Sequence, residues 1–158
     1  MFLVSDSLEN RARSIRGFLQ KQPSIALIVA AVYFEWTVCR ALIALSNRSN
    51  ADVRHSIAPA AGLEKYKEVW WTELGNQRGA LRLPELVNNW DAVKRAFDER
   101  NRLVHGRKRH TRNMATPHVE ALLAAVAEVD EYCRSRGRGL GKRLPVRKKA
   151  RTVGAANG

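Results

Sequence analysis

The sequence contains little cysteine, and its cysteines do not have the spacing of a disulfide scaffold or a zinc site. Cys39 and Cys133 are the only two, they lie far apart, and this usage predicts a reduced, intracellular environment. His55, His110 and His118 are also scattered along the chain. No closely spaced His, Cys or carboxylate set of the kind used by hydrolytic metal sites is present. We therefore expect no metal ion and no other cofactor.

The chain also lacks a recognisable signal peptide and an uncharged membrane span. Its first ten residues, MFLVSDSLEN, have no basic segment and too short an apolar run for a signal peptide. The apolar stretch from Ser24 to Ser46 is long enough to cross a bilayer, but it contains Glu35 and Arg40. A central arginine costs about 2.5–3.5 kcal/mol on the insertion scale. We therefore expect a helix buried on nearly all sides, no membrane partner and a cytoplasmic location.

No segment of useful length alternates between apolar and polar residues as a strand does, and helical periodicity dominates. The segments RSNADVRHSIAPAAG and GNQRGALRLP are typical of loops because of their polar, Pro and Gly content. The pattern predicts an all-α bundle of four to five helices over residues 1–136. The predicted helices run from about Leu8 to Pro23, from there to Ser46 or Asn47, over LEKYKEVWWTEL after Gly62, from between Pro84 and Asn89 to Gly106, and from near Thr116 through Cys133.

Two segments contain no acidic residue and together hold the whole excess of positive charge. The net charge is +13, with nine basic residues between Arg134 and the C-terminus and four between Gly106 and Arg112. Charge concentrated in this way favours a polyanionic partner at those two places. Residues 137–158 are rich in Gly, Arg and Lys, which predicts a basic disordered tail. This tail would either attract RNA without sequence preference or only increase solubility.

The stretch RNRLVHG, residues 100–106, closes the helix that precedes the shorter basic run. On a helical wheel with Trp90 at zero, Asn101 falls at about +20°, Arg100 at about −80° and His105 at about +60°. The amide of Asn101 is therefore predicted to point into the packed seam, where an unpartnered amide costs about 1–3 kcal/mol. A groove lined by all three polar side chains would remove that cost. The apolar residues that define the inward face lie between about −60° and −20°: Val93, Phe97 and Val104.

This stretch resembles the defining motif of the HEPN superfamily, whose members are four-helix bundle proteins and mostly RNases. Their pattern is an arginine, usually followed by a polar residue such as asparagine, and a histidine five positions after the arginine. Arg100, Asn101 and His105 stand in that spacing, and the resemblance in helix order covers about Asp6 to Cys133. Some relatives carry a tyrosine two residues after the histidine that a partner nucleotidyltransferase modifies. Here Arg107 occupies that position.

The chemistry of RNA suits these residue types, because each phosphodiester lies beside a 2′-OH that can act as the nucleophile without a metal. His105 is assigned to proton transfer, since an imidazole with a pKa of about 6.5 can act as acid or base near neutral pH. Arg100 is assigned to stabilising charge on the phosphate, and Asn101 to orienting His105 or the phosphate. The products would carry 2′,3′-cyclic phosphate and 5′-OH ends. One histidine does not easily serve as both acid and base, and the resemblance implies a homodimer whose motifs face each other.

Other residues are predicted to support this site. Glu35 shares a helix face with apolar residues and is expected to point into the bundle, where a buried carboxylate requires a partner. That partner is either Arg100, which Glu35 would then hold in position, or another basic residue. Trp71 is the exposed member of a tryptophan pair and could stack on a base. The predicted RNA-binding residues follow the motif directly: Arg107, Lys108, Arg109 and Arg112.

The sequence thus favours a metal-independent endoribonuclease that acts on RNA as a homodimer. Short proteins of the HEPN type are often toxins or phage-defence RNases, so the resemblance also implies a possible antitoxin protein as a partner. The alternative is a non-catalytic helical module that binds RNA or a protein through the same groove. The two hypotheses differ in whether bound RNA is cut.

Overall fold

The computed structural model describes residues 7–60, 62–106, 109–141 and 143–148. These residues form seven helices and no strand, which confirms the predicted all-α class. The predicted count of four to five helices is not confirmed, because two further short helices are present among the described residues. The helices are α1 (Leu8–Lys21), α2 (Pro23–Leu45), α3 (Asn50–Ile57), α4 (Leu63–Leu74), α5 (Leu83–Leu86), α6 (Trp90–Val104) and α7 (Arg112–Ser135).

Four long helices, α1, α2, α6 and α7, build the bundle, and α2 packs most extensively against α7. Helices α1 and α6 each contact both members of this central pair. Phe34 of α2 lies fully buried at the centre. Its ring meets the Phe97 ring of α6 edge-on, with the centroids 5.9 Å apart. Because α2 and α6 share this core contact, side chains one or two turns further along the two helices also face each other.

Helix α2 is apolar enough in an 18-residue window to cross a membrane by length and composition, and 56% of that window is buried inside the bundle. The core helix of a bundle passes the same test. The prediction that α2 is buried on nearly all sides is wrong for one face. Ile25 and Val32 are exposed, and Glu35 and Cys39 are only half-buried.

Two helix boundaries differ from the predictions. The segment predicted as a loop contains α3, where the Ser49 hydroxyl accepts a hydrogen bond from the Asp52 N–H and caps the helix. Only Val53 of this helix is buried, so its eight residues carry almost no periodic signal. Helix α7 begins at Arg112 rather than near Thr116, because the Thr111 side chain caps it. Pro117 lies inside this helix, where it has no N–H to donate to the carbonyl four residues earlier.

The chain beyond Gly137 is attached to the bundle, so the prediction of a disordered tail is wrong for residues 138–141 and 143–148. The Leu140 N–H donates to Asp130, and Asn50 exchanges hydrogen bonds with Pro145 and Arg147. The Arg147 guanidinium donates to the carbonyls of Ile43 and Ala44 at the end of α2, at 2.9 and 3.1 Å. These carbonyls have no partner within the helix. Composition alone therefore does not reveal that this segment is bound by hydrogen bonds to the C-terminus of α2. Residues 149–158 lie outside the described residues.

Replacement of Arg147 by alanine is expected to lower the free energy of unfolding by about 1–3 kcal/mol, because two helix-terminal carbonyls lose charged donors. For a chain of this size, such a loss lowers Tm by several degrees. Thermal denaturation measured by circular dichroism provides the test. Arg143→Ala, at an exposed position of the same segment, is the matched control. Equal Tm values for the two variants would show that Arg147 does not fasten this segment.

Candidate functional site

The end of α6 exposes the histidine of the motif. The His105 N–H still bonds to the Asn101 carbonyl, whereas Gly106 follows with a φ of 67° in the left-handed region. Glycine adopts that conformation without the steric cost of a Cβ. The helix was predicted to end at Gly106, and Gly106 follows directly after the cap residue His105. The chain turns away from the helix at this point, and the His105 side chain is left exposed to solvent.

Arg100, and not Asn101, faces the interior of the bundle. Asn101 is exposed and Arg100 is half-buried, so the prediction that the amide enters the packed seam is wrong. The reason is Ala96, which is fully buried and falls at about −120° on the same helical wheel. It moves the centre of the inward face to about −70°, close to the −80° of Arg100. The prediction for Val104 is wrong as well, since this residue is 56% exposed beyond the edge of the core.

The amide of Asn101 is nevertheless part of the site, because its Oδ1 accepts a hydrogen bond from Arg100 Nη1 at 3.0 Å. This bond holds one arm of the guanidinium. The Nε of Arg100 is buried without a hydrogen-bond partner among the described residues. Part of the guanidinium therefore lies under the surface, and its orientation is set by the neighbouring residue. A guanidinium held in this way is prepared to bind an anion through its remaining donors.

Beneath Arg100 lies a small polar cluster contributed by α2 and α4. Burial raises the pKa of Glu35, and the nearby positive charge of Arg100 partly opposes that rise. The Tyr66 hydroxyl and the Cys39 thiol are neighbours in this cluster, and burial raises the pKa of both groups. Arg100 also acts on Tyr66 electrostatically. Of the two partners considered for Glu35, the structure brings Arg100 close to it; the positioning role of Glu35 remains a prediction.

The raised pKa of Glu35 predicts how stability depends on pH. The folded state favours the protonated carboxyl, so this group contributes stability that is present below its unfolded pKa and is lost as pH rises through its folded pKa. Glu35→Gln removes that titration. We therefore expect wild type to lose stability relative to Glu35→Gln over a pH range that starts below the ordinary glutamate pKa of about 4.3 and rises above it. Urea unfolding at both ends of this range measures the difference, and a difference that does not change with pH would contradict the electrostatic environment described for Glu35.

Of the four basic residues predicted to bind RNA, two belong to the described part of the chain. Arg109 is exposed beside Gly106, and Arg112 is exposed in the first turn of α7. Arg107 and Lys108 lie outside the described residues. No three His, Cys, Asp or Glu side chains within the described ranges are grouped so that they could hold a metal ion. Trp71 is exposed as predicted, but its ring is covered by the Arg82 guanidinium, 4.5 Å from the ring centroid.

Exposed apolar side chains border the motif. Val104, between Arg100 and His105, is 56% exposed, and Val32 of α2 is 49% exposed. Ile25 lies on the same face of α2 as Val32, since seven residues correspond to about two helical turns. Helices α2 and α6 pack side by side. The guanidinium and imidazole of the motif are thus set within a partly apolar surface.

Sequence reasoning missed a buried ion pair behind the motif. His110 Nε2 lies 2.8 Å from a carboxylate oxygen of Glu99, and the His110 side chain is only 1% exposed. The His110 N–H also donates to the Ser24 hydroxyl at the start of α2. His110 is therefore held against α6 and α2. No periodicity or spacing connects Glu99 with His110, so the sequence contained no signal for this pair.

The chain was compared with protein-family models, with curated proteins and with solved structures, and none of them matches it.

Proposed function

We propose that this protein is a metal-independent endoribonuclease of the HEPN type. The observation that carries the proposal is the end of α6, where the half-buried Arg100, oriented by Asn101, precedes the exposed His105 by five residues. Five residues correspond to about 7.5 Å of helix rise, a separation suited to opposite sides of a phosphodiester. The arginine would bind phosphate oxygens and the histidine would transfer a proton. A 2′-OH of the RNA would act as the nucleophile.

The reaction divides between these groups as follows. The 2′ oxygen attacks phosphorus and loses its proton to a base, while the leaving 5′ oxygen gains a proton from an acid. An imidazole performs either transfer near neutral pH. Charge that develops on the phosphate oxygens is stabilised by the Arg100 guanidinium, because charge-assisted hydrogen bonds to phosphate are short and strong. The products are a 2′,3′-cyclic phosphate and a 5′-OH.

The second proton-transfer group is supplied, in this proposal, by a second copy of the chain. The exposed Val32 and Val104 support a homodimer, because Val104 lies within the motif, Val32 lies on the face of α2 that carries Glu35, and a partner would remove both from water. A two-fold axis through this surface brings the same residues of both copies together. Two copies of His105 and Arg100 would then line one cleft. The biological role proposed with this activity is RNA cleavage by a toxin or phage-defence RNase, controlled by an antitoxin protein where one exists.

The test is cleavage of RNA in the presence of EDTA, with the product ends identified by mass spectrometry. We expect cyclic phosphate and 5′-OH ends, and no cleavage of an oligonucleotide that has deoxyribose at the cleaved position. A requirement for added metal, or products with 3′-OH ends, would contradict the proposed chemistry. Binding of RNA without any cleavage would favour the non-catalytic helical module instead.

A further inference from the structure

A cavity of about 770 Å³ opens where α2 begins, directly beside the end of the motif. Gly106, the residue after His105, forms part of its wall, and Ile28 and Leu103 give it an apolar side. Its volume is within the range of about 300–1,000 Å³ that is typical of ligand sites. The motif does not itself account for this cavity, which lies on the α1–α2 side of His105.

The rim of the cavity is positively charged. Lys21, the last residue of α1, and Arg109 both line it with exposed side chains. No residue with a carboxylate is among the described residues of its wall. Glu99 is not part of this wall, and its carboxylate contacts His110 and Arg102. An anion that enters would therefore meet two cations, and the nearby carboxylate already has positively charged or donor partners.

The start of α2 adds backbone donors to these cations. The side chain of the cap residue Gln22 makes no capping hydrogen bond, and the first turn contains no acidic residue. Pro23 has no N–H, so the free donors of this turn are the N–H groups of Ser24 and Ile25. The N-terminus of a long helix also carries the positive end of its dipole, which favours phosphate. Ammonium, guanidinium and backbone N–H donors are therefore found around one cavity.

His110 provides an independent indication that a ligand belongs there. This residue lines the cavity and is 6% exposed, and its Nδ1 is buried without a hydrogen-bond partner among the described residues. A buried polar nitrogen without a partner is unfavourable, because it has lost its hydrogen bonds to water. In the imidazolium form both ring nitrogens donate. Nε2 would donate to Glu99, and Nδ1 would be available to a phosphate oxygen.

We infer that this cavity is a second phosphate subsite, which binds the RNA phosphate next to the one that is cleaved. The inference rests on the proposed function, because it identifies single-stranded RNA with more than one phosphate as the substrate. Lys21, Arg109, His110 and the start of α2 hold the neighbouring phosphate, while Arg100 and His105 act on the scissile one. The subsite thereby sets the position of the RNA chain relative to the motif.

The test compares two substrates in a variant that lacks both cations, Lys21→Ala/Arg109→Ala. A ten-nucleotide RNA can fill the subsite, whereas a dinucleoside monophosphate has only the scissile phosphate. We expect the variant to raise KM for the longer RNA about tenfold, with kcat changed less than about twofold, because phosphate contacts contribute binding. Kinetics with the dinucleotide should change less than about twofold, since that substrate makes no contact to lose. Arg54→Ala/Arg78→Ala removes the same charge from exposed positions near the other end of α2 and is the matched control.

A binding measurement separates this inference from the proposed catalysis. Fluorescence anisotropy with a 2′-O-methyl RNA, which has no free 2′-OH, should show affinity about tenfold weaker for the variant than for the control. In wild type the His110 ring resonances should shift when this RNA is added. Equal losses with both substrates, or losses no larger than those of the control, would overturn the subsite. A His110 shift with inorganic phosphate but unchanged RNA affinity would assign the cavity to a free anion and would also overturn it.

Discussion

His105→Ala is expected to lower the rate of RNA cleavage about 10²- to 10⁴-fold, the usual contribution of a positioned acid or base. The side chain is exposed at the end of α6, so its removal should leave the fold and the thermal stability unchanged. RNA affinity should change less than about threefold, because the guanidinium and the basic loop make the contacts to phosphate. Single-turnover cleavage and anisotropy with 2′-O-methyl RNA measure the two effects separately.

His55→Ala is the matched control for this experiment, since His55 is also an exposed histidine but belongs to α3. Its cleavage rate should equal that of wild type. If His105→Ala retains more than about a tenth of the wild-type rate, proton transfer by His105 is ruled out as a main contribution. The proposal would then survive only as phosphate binding by Arg100, which is the non-catalytic alternative.

Val32→Arg is expected to convert the proposed dimer to a monomer and to lower cleavage about 100-fold at micromolar concentration. A two-fold interface would bring both introduced arginines into one small area, and like charges in such a place cost several kcal/mol. A loss of about 2.8 kcal/mol is a 100-fold change in the association constant. Analytical ultracentrifugation measures the oligomeric state, and cleavage is measured at the same concentrations.

Val146→Arg is the matched control, because Val146 is 66% exposed and belongs to the C-terminal segment rather than to the α2 surface. This variant should remain dimeric and fully active. A Val32→Arg protein that is monomeric and cuts RNA at the wild-type rate would show that one chain supplies both proton-transfer groups. A wild-type protein that is monomeric at every concentration would exclude the second copy altogether.

The helical periodicity was sufficient to predict the all-α class and the approximate positions of the long helices. α4 is the clearest case, because its apolar residues repeat over twelve residues and its bounds are as predicted. Short helices were harder to predict from the sequence. α3 depends on one capping serine and one buried valine. In a polar stretch of sequence, these two residues do not form a recognisable helical pattern.

The order of residues along the chain was also enough to select Arg100, Asn101 and His105 as one group, because neighbours on a helix end must lie together. Which of them faces the interior was not predictable from a wheel that omitted Ala96. The surroundings of Arg100 come from Glu35, Cys39 and Tyr66, which lie on two other helices. The pairing of Glu99 with His110 and the cavity at the start of α2 likewise depend on how helices meet. Periodicity reports the environment of a residue along its own helix, whereas burial, pairing and pKa depend on side chains that are distant in the chain and are brought together only by packing.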